Sequence, residues 1–477
     1  MPKCVFRGDY ELHGIKTTFQ CDESALPSGY CIFHDNSFSN NEIKRKRLEQ
    51  KFNEAGSLNR ELILVGYNIP SFQPPLLPEL TLVKDSTIEN LDWTHQTIHN
   101  FDFVNVTFQN KFDCSHARLQ NVSFSNVTFN DVSFHEATLK ECMIENSTIK
   151  KFYCVRAIIE KLRLHETQFK KANFDWADLI KLFFTDTIFT EVHFSGSMIE
   201  SSRFLSSTFD NAKFLYVRFE GENTFIESTF NQAEFTGSNF KGEIDFSNIH
   251  LPEFKEGSKE IPIEFNYVTF GKRAKFIGTV KHNLNLESVS FIGTDLTNVE
   301  FHNVKWLQTK NYPWRKIIPN ETLLPSIKNF EEVSKVYNQL RKNYEAKLLF
   351  NEASNFFIGE METIRRGLVS GNWHERCSSI PYFLYKYLAF YGESYTVPLL
   401  IWTPVLVFGF AYLRGYFTIC SQPVEECTLF ENLADSFAAN FALPRSENFL
   451  DILQRVVSIP ILGTAFIALK RKFERRK

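Results

Sequence analysis

A chain of 477 residues with 53 Lys and Arg against 56 Asp and Glu has a formal charge of −3 and a pI near 6.5. It is long enough for several domains and has no bulk basicity to hold nucleic acid or anionic lipid. The 9 Cys are spread along the chain and no signal peptide is read at its start, which suits a reducing cytosol better than a disulfide framework.

Residues 1–70 do not repeat. They contain Cys4, His13, Cys21 and the string SGYCIFHD, which ends on Cys31, His34 and Asp35. Cys31 and His34, with two residues between them, have a chelating spacing. Cys4, Cys21, Cys31 and His34 together would complete a tetrahedral Zn²⁺ site, structural rather than catalytic. The long gaps between the three cysteines fit no standard finger. The competing reading is therefore a set of buried thiols, with His34 capping a turn. From Asn41 to Glu54 the segment reads as a short, charge-dense helix. The Pro-rich run Ser71–Leu80 (SFQPPLLPEL) then breaks helix.

From about Val83 to Trp306 the period is five. Every fifth residue from Leu119 reads Leu119, Phe124, Phe129, Phe134, Leu139, Ile144, Ile149, Cys154, Ile159, Leu164 and Phe169, and the series runs on to Phe219. Two residues before each centre stands a mostly small or β-branched residue such as Ala117, Val122, Val127 or Ala137. Neither a helix nor a flat strand produces this period; a short fixed repeat buries its apolar residues only by stacking on its neighbours. These centres also account for much of the excess of Phe, 50 against 16 Tyr and 6 Trp. Cys142 and Cys154 fall at inward sites as small hydrophobes.

The pattern resembles the pentapeptide-repeat family, A(D/N)LXX with Leu or Phe at the centre. The resemblance implies a mainly β fold over residues 81–306: a right-handed, four-sided β-helix of about eleven coils. Similar Cys-rich segments precede other pentapeptide arrays. The register slips where centres step by six, near Asn110–Asp113, after Phe219 and from Phe240 to Phe246. His250–Pro262 reads as a loop excursion.

The outward positions hold scattered Ser, Thr, Asn, Lys and Glu, with His116, His135, His165 and His193 placed singly. No Ser–His–Asp set or carboxylate pair emerges, so no enzyme is expected. Some pentapeptide-repeat proteins mimic DNA through strongly acidic faces. Here the array carries 23 Lys and Arg against 30 Asp and Glu, a mild and mixed balance, and no nucleic-acid partner is expected.

After Trp306 a Pro-containing linker ends the array. Residues 326–368 are rich in helix formers, with Val333, Val336, Tyr337, Leu340 and Tyr344 on one stripe. Phe350, Ala353, Phe356, Phe357 and Met361 line another, and Asn351 marks a turn between two antiparallel helices. The strings VYNQLRKNYE and GEMETIRR resemble a helical hairpin that follows many pentapeptide arrays. Glu360, Glu362, Arg365 and Arg366 read as surface ion pairs or a docking face.

Residues 395–469 read as a transmembrane hairpin. Tyr395–Leu413 has 19 uncharged residues, enough to cross about 30 Å of hydrocarbon. Val456–Leu469 is shorter and needs Ile452, Leu453 and snorkelling Arg455 and Lys470 to span. Residues 470–477 (KRKFERRK) form a basic tail that the positive-inside rule places in the cytoplasm, with the solenoid on the same side. Between the spans, Cys420 and Cys427 are close enough in sequence to close a small disulfide, and Thr428–Pro444 reads as a short helix. The layout, with its lead-in Tyr391-Gly392-Glu393-Ser394, resembles a two-transmembrane ion-channel module. Phe441-Ala442-Leu443-Pro444 stands where a filter such as TVGYG would follow, so the resemblance is to a degenerate module.

Two readings follow. One is a multi-pass scaffold in the cell membrane, offering a rigid cytosolic solenoid to a protein partner, in contact with lipid and expected to form a homo-oligomer. The other is an ion-channel-like protein whose solenoid senses or gates an oligomeric pore.

Overall fold

In the computed structural model, twelve side chains stand in one column: Leu64, Val83, Phe103, Phe124, Ile144, Leu164, Phe184, Phe204, Phe225, Phe246, Phe276 and Phe301. Parallel pairing links each of their strands to the next. The fold is thus a parallel β-solenoid of about 12 turns followed by helices. The structure describes residues 2–12, 15–58, 60–74, 78, 80–255, 257–258, 260–308, 315–327, 329–417, 428–443 and 448–474. The chain divides into two compact units, Met1–Leu307 and Gln308–Lys477.

Three further columns complete a four-sided coil. In one of them Phe174, Phe194, Phe214, Phe235 and Phe265 stack nearly face to face, with centroids 4.9, 4.8, 4.6 and 4.6 Å apart. That spacing is the strand-to-strand distance of a sheet, so each ring repeats at the pitch of its backbone. The small residues two places earlier face inward too. Where they are Ser or Thr, the coil satisfies them: Ser147 Oγ donates to the Glu145 carbonyl (2.7 Å) and accepts from Val127 N–H (3.0 Å) in the coil before.

The corners explain the polar residues of the pentad. Asp85, Asn105, Asn126, Asn146 and Asp186 all take φ between 50 and 55°. Asn and Asp tolerate this left-handed region better than other L-residues. The slips are absorbed locally: a register shift lies between Phe129 and Asp131 against Phe108 and Lys111. The segment after His250 leaves the wall, since His250 still bridges Thr229 while Ala233 next pairs with Ile263.

The array takes in one coil more than the eleven read from the sequence. Strands β3 (Leu62–Val65) and β4 (Asn68–Ile69) already pair with the strands at Thr81–Lys84 and Thr87–Ile88. The Pro-rich run between them hides the period. Ahead of this coil stand a hairpin, β1 (Arg7–Leu12) and β2 (Ile15–Gln20), and helix α1 (Asn41–Ser57), N-capped by Asn40.

The second unit is helical: α2 (Pro319–Ile327), α3 (Phe330–Ala346), α4 (Phe350–Ser370), α5 (Trp373–Ser378) and α6 (Ile380–Ala389). After them come α7 (Thr403–Phe417), led in by a π-turn at Pro398–Trp402, then α8 (Leu429–Asn440) and α9 (Phe449–Glu474). Val333, Val336, Tyr337, Leu340 and Tyr344 are buried, as are Ala353, Phe356 and Phe357 facing them; Phe350 and Met361 are only partly covered. The turn lies at Lys347–Leu349, where Leu348 takes φ +60°, and not at Asn351, which is inside the first turn of α4.

The carboxylates read as surface groups are buried. Glu362 is 4 % exposed and meets Arg365 (2.8 Å), Arg366 (3.1 Å), Lys386 (3.2 Å) and the Tyr391 hydroxyl (2.9 Å). Glu360 meets Arg341 (3.1 Å) and Asn338 (2.8 Å), while the buried Arg315 pairs with Glu321 (2.6 Å). The sequence showed only the cations four or fewer residues away on α4. Lys386 on α6, Tyr391 just beyond it and Arg341 on α3, which offset the cost of burial, come from outside α4.

Candidate functional sites

Three elements converge on the cysteines. Cys4 precedes β1, Cys21 follows β2, and Cys31 and His34 share one turn, with the His34 N–H bonded to the Cys31 carbonyl (3.1 Å). The four ligand atoms of Cys4, Cys21, Cys31 and His34 all lie within 4.8 Å of one another, so the group could hold a metal ion. Zn–S and Zn–N bonds of about 2.3 and 2.0 Å at tetrahedral angles require S···S near 3.8 Å and S···N near 3.5 Å. Cys21 Sγ to Cys31 Sγ is 3.7 Å, Cys4 Sγ to His34 Nδ1 is 3.6 Å, and Cys31 Sγ to His34 Nδ1 is 3.0 Å.

The ring is oriented for the task. His34 Nε2 lies 2.9 Å from the Val65 carbonyl, which can only accept, so the proton belongs on Nε2 and the Nδ1 lone pair faces the sulfurs. Phe6 stacks on the imidazole at 3.8 Å and Tyr67 meets it edge-on at 5.0 Å. The hydrogen bond from the Cys21 thiol lowers the Cys31 thiol against the cost of burial. The same bond, with burial, pushes the Cys21 thiol well up. Metal binding would replace that shared proton. By contrast, Cys114 and Cys154 inside the solenoid are raised by burial alone or chiefly so, as inert hydrophobes.

The outward histidines are not all single. His95 and His116 stack at 4.8 Å, His135 stands edge-on to His116 at 6.0 Å, and Glu136 lies 3.4 Å from both His116 and His135. Residues about twenty apart are neighbours across coils, which a linear reading of pentads does not display.

Pro398–Tyr416 and Phe449–Phe473 are long and apolar enough to cross a membrane, with mean hydropathy 1.4 and 1.8. The second is a full 25 residues, longer than its sequence suggested, because α9 runs through Pro460. Most of their surface is uncovered: Val405, Phe408, Tyr412, Val456, Ile459 and Phe466 are exposed, whereas the helix of a water-soluble core would bury them. The covered side carries polar groups among apolar ones such as Ala411, Ile461 and Ala465. Arg414 pairs with Asp451, Gln454 Nε2 donates to the Ser436 carbonyl (2.8 Å), and Ser436 Oγ donates to the Val407 carbonyl (2.7 Å). Helix α8, capped by Thr428 with Glu431 reciprocating, turns Asn432, Asp435, Ser436 and Asn440 inward. The Cys420–Cys427 segment and residues 444–447 lie outside the described residues.

Residues 113–148 and 167–204 match the family model described as Pentapeptide repeats, in 8 copies. No curated protein matches the chain. Among solved structures, the chain is similar to full-length QnrB1, a plasmid-mediated fluoroquinolone resistance protein. The identity is 15% over 52% of this chain and 92% of that one, with a TM-score of 0.21. It is also similar to HetL, a pentapeptide repeat protein involved in heterocyst differentiation regulation from the cyanobacterium Nostoc. There the identity is 15% over 45% of this chain and 87% of that one, with a TM-score of 0.20. Superpositions this partial carry no argument; the fold rests on the strand pairing.

Proposed function

We propose that this chain is a membrane-held scaffold whose solenoid, built of pentapeptide repeats, presents a rigid surface to a protein partner. The observation that carries the reading is the inverted polarity of α7–α9. Apolar side chains face outward and Arg414, Asp451, Gln454 and Ser436 face one another. Such an arrangement is stable when the surroundings are hydrocarbon. Two spans return the chain to its starting side, and the basic residues from Lys470 onward favour the cytoplasm there, so the solenoid faces the cytosol of a multi-pass protein. Lipid and further copies of the chain are the natural neighbours of the exposed helix faces.

Cys4, Cys21, Cys31 and His34 supply a structural zinc site in this reading. All four positions are occupied by protein, which leaves none for a substrate, and the site ties the hairpin to the first coil. A pore formed by the same helices is the second reading, supported by the polar side of α8. Against it, Phe441-Ala442-Leu443-Pro444 offers no row of carbonyls for a filter.

The test is photo-crosslinking in cells from the outward sites Lys171 and Glu191, combined with alkaline extraction of membranes. The scaffold reading expects the full chain to stay in the extracted membrane and to yield a discrete protein adduct. Extraction into the soluble fraction, or no adduct from any outward site, defeats it. A single-ion-selective conductance from purified oligomers in planar bilayers would favour the pore.

A further inference from the structure

Beyond His95, His116, Glu136 and Arg156, one corner of the solenoid breaks the chemistry of the others. Most corner residues with positive φ are Asn, Asp, Ser, Glu or Lys, but one column runs Trp176, Gly196, Tyr216, Gly237, Tyr267, Gly293 through six successive coils. Backbone bonds establish the succession: Trp176 N–H to the Ser195 carbonyl (3.0 Å), Gly196 to Leu215 (2.8 Å), Tyr216 to Thr236 (3.0 Å), Gly237 to Asn266 (2.9 Å) and Tyr267 to Ile292 (2.7 Å).

The three aromatic residues take φ of 61, 55 and 54°, a region that bulky side chains rarely adopt and that costs energy to hold. Each ring lies over the glycine of the next coil: a Cβ on Gly196 would stand 2.8 Å from the Trp176 indole, and one on Gly237 would stand 2.5 Å from the Tyr216 ring. The rings therefore lie flat and are 68, 72 and 54 % exposed. At about 4.8 Å per coil, neighbouring platforms are about 9.6 Å apart.

Beside this corner lies the loop excursion. It closes a cleft of about 420 Å³ whose lining includes Glu234, Glu253, Glu260 and Glu264 against Lys213 and Lys255. Glu234 and Glu264 are direct partners in adjacent coils, three residues ahead of Gly237 and Tyr267. Burial and, after it, the neighbouring Glu234 raise the Glu264 carboxyl above its ordinary range.

We propose that this aromatic corner, with the acidic cleft beside it, docks a proline-rich segment of a partner protein that carries an arginine or lysine. The proposal rests on the scaffold reading and names the class of partner. A polyproline II helix repeats every three residues, about 9.3 Å, so prolines one turn apart meet successive platforms. Over Trp176 to Tyr267 the mismatch stays below about 1 Å. The partner's cation answers the excess of the four carboxylates over Lys213 and Lys255 in the lining. Single-stranded nucleic acid would need a cationic groove along the aromatic row, and the cleft has the opposite sign.

The experiment titrates the full chain in detergent with fluorescein-labelled oligoproline ended by arginine, the same peptide ended by serine, and a glycine–serine peptide. The arginine-ended probe is expected to bind saturably and the glycine–serine peptide not at all. Trp176→Gly with Tyr216→Gly should weaken oligoproline at least about tenfold. Glycine already serves the alternate coils of this corner, so the fold should tolerate it, as circular dichroism would check. Glu234→Gln with Glu264→Gln should weaken only the arginine-ended probe, and this comparison decides the matter even if the glycine variants unfold.

No binding of either oligoproline, equal binding by the variants, or equal competition by a cello-oligosaccharide overturns the proposal. A crosslinked adduct from Lys171 or Glu191 in that case leaves the scaffold standing, whereas loss of every adduct removes the scaffold itself.

Discussion

Replacing Phe184 by Ala tests the core of the solenoid. Phe184 is fully buried, meets Phe204 edge-on at 5.1 Å and Phe189 at 5.9 Å, and stacks between Leu164 and Phe204 in the strand ladder. The interior is one side chain wide on each side, so the neighbours can collapse into the gap only by bending the backbone ladder. The cost should sit in the upper range for such truncations, about 3–5 kcal/mol. For a cooperative unit of this size each kcal/mol lowers the midpoint by about 2–4 °C, so a fall of about 6–20 °C is expected. Lys171, 54 % exposed and paired with Glu191 at 3.0 Å, provides the outward control, and Lys171→Ala should move the midpoint by no more than about 2 °C. Pulsed thiol labelling of buried Cys154 during heating reports the unfolding of this part of the array directly. Equal shifts from the two substitutions would refute the assignment of inside and outside.

Three further outcomes are expected. Freshly purified chain should contain about one Zn²⁺, and Cys31→Ser should lose both the metal and the protease resistance of residues 2–58; absence of zinc by elemental analysis ends that reading. Glu362 is pushed up by burial but held at about 2 by hydrogen bonds from Arg365 and the charge of Lys386. Its contribution is present above the unfolded value near 4.5 and lost as pH falls toward 2, on the order of 3 kcal/mol; Glu362→Gln should flatten the acid limb of the helical unit's unfolding curve, and an unchanged limb counts against the network. A membrane-impermeant thiol reagent, applied after reduction, should label Cys420 and Cys427 in intact cells but not Cys377; labelling of Cys377 alone would invert the topology.

The solenoid was legible because its repeat is shorter than any noise: five residues fix both the inward ring and the small residue beside it. The Cys/His group was legible as a set of residue types, but the convergence of its four ligand atoms and the orientation of the ring were not. That orientation depends on Val65, more than thirty residues downstream, fixing the tautomer of His34. The same distance effect hid the histidine stack of His95, His116 and His135 and the burial of Glu362. In each case the deciding neighbour sits one coil or one helix away, where linear spacing carries no signal. The aromatic corner escaped for a different reason: Trp176, Tyr216 and Tyr267 occupy outward pentad positions that look interchangeable until their backbone angles are seen.

A parallel β-helix ends, at each terminus, in a coil whose strand edges have no partner of their own. At the first coil the Cys/His segment and α1 lie across that end: Asn68 N–H bonds to the Phe33 carbonyl (3.1 Å), Phe33 stacks on Tyr67 at 4.7 Å and Phe52 packs on Phe72 at 5.2 Å. An open edge of this kind is a template for another chain's strands. Disruption of the Cys4, Cys21, Cys31 and His34 cluster would therefore do more than loosen a terminus. It would bare the strand edges of the first coil, and head-to-tail association of solenoids is the outcome expected of such a bared edge.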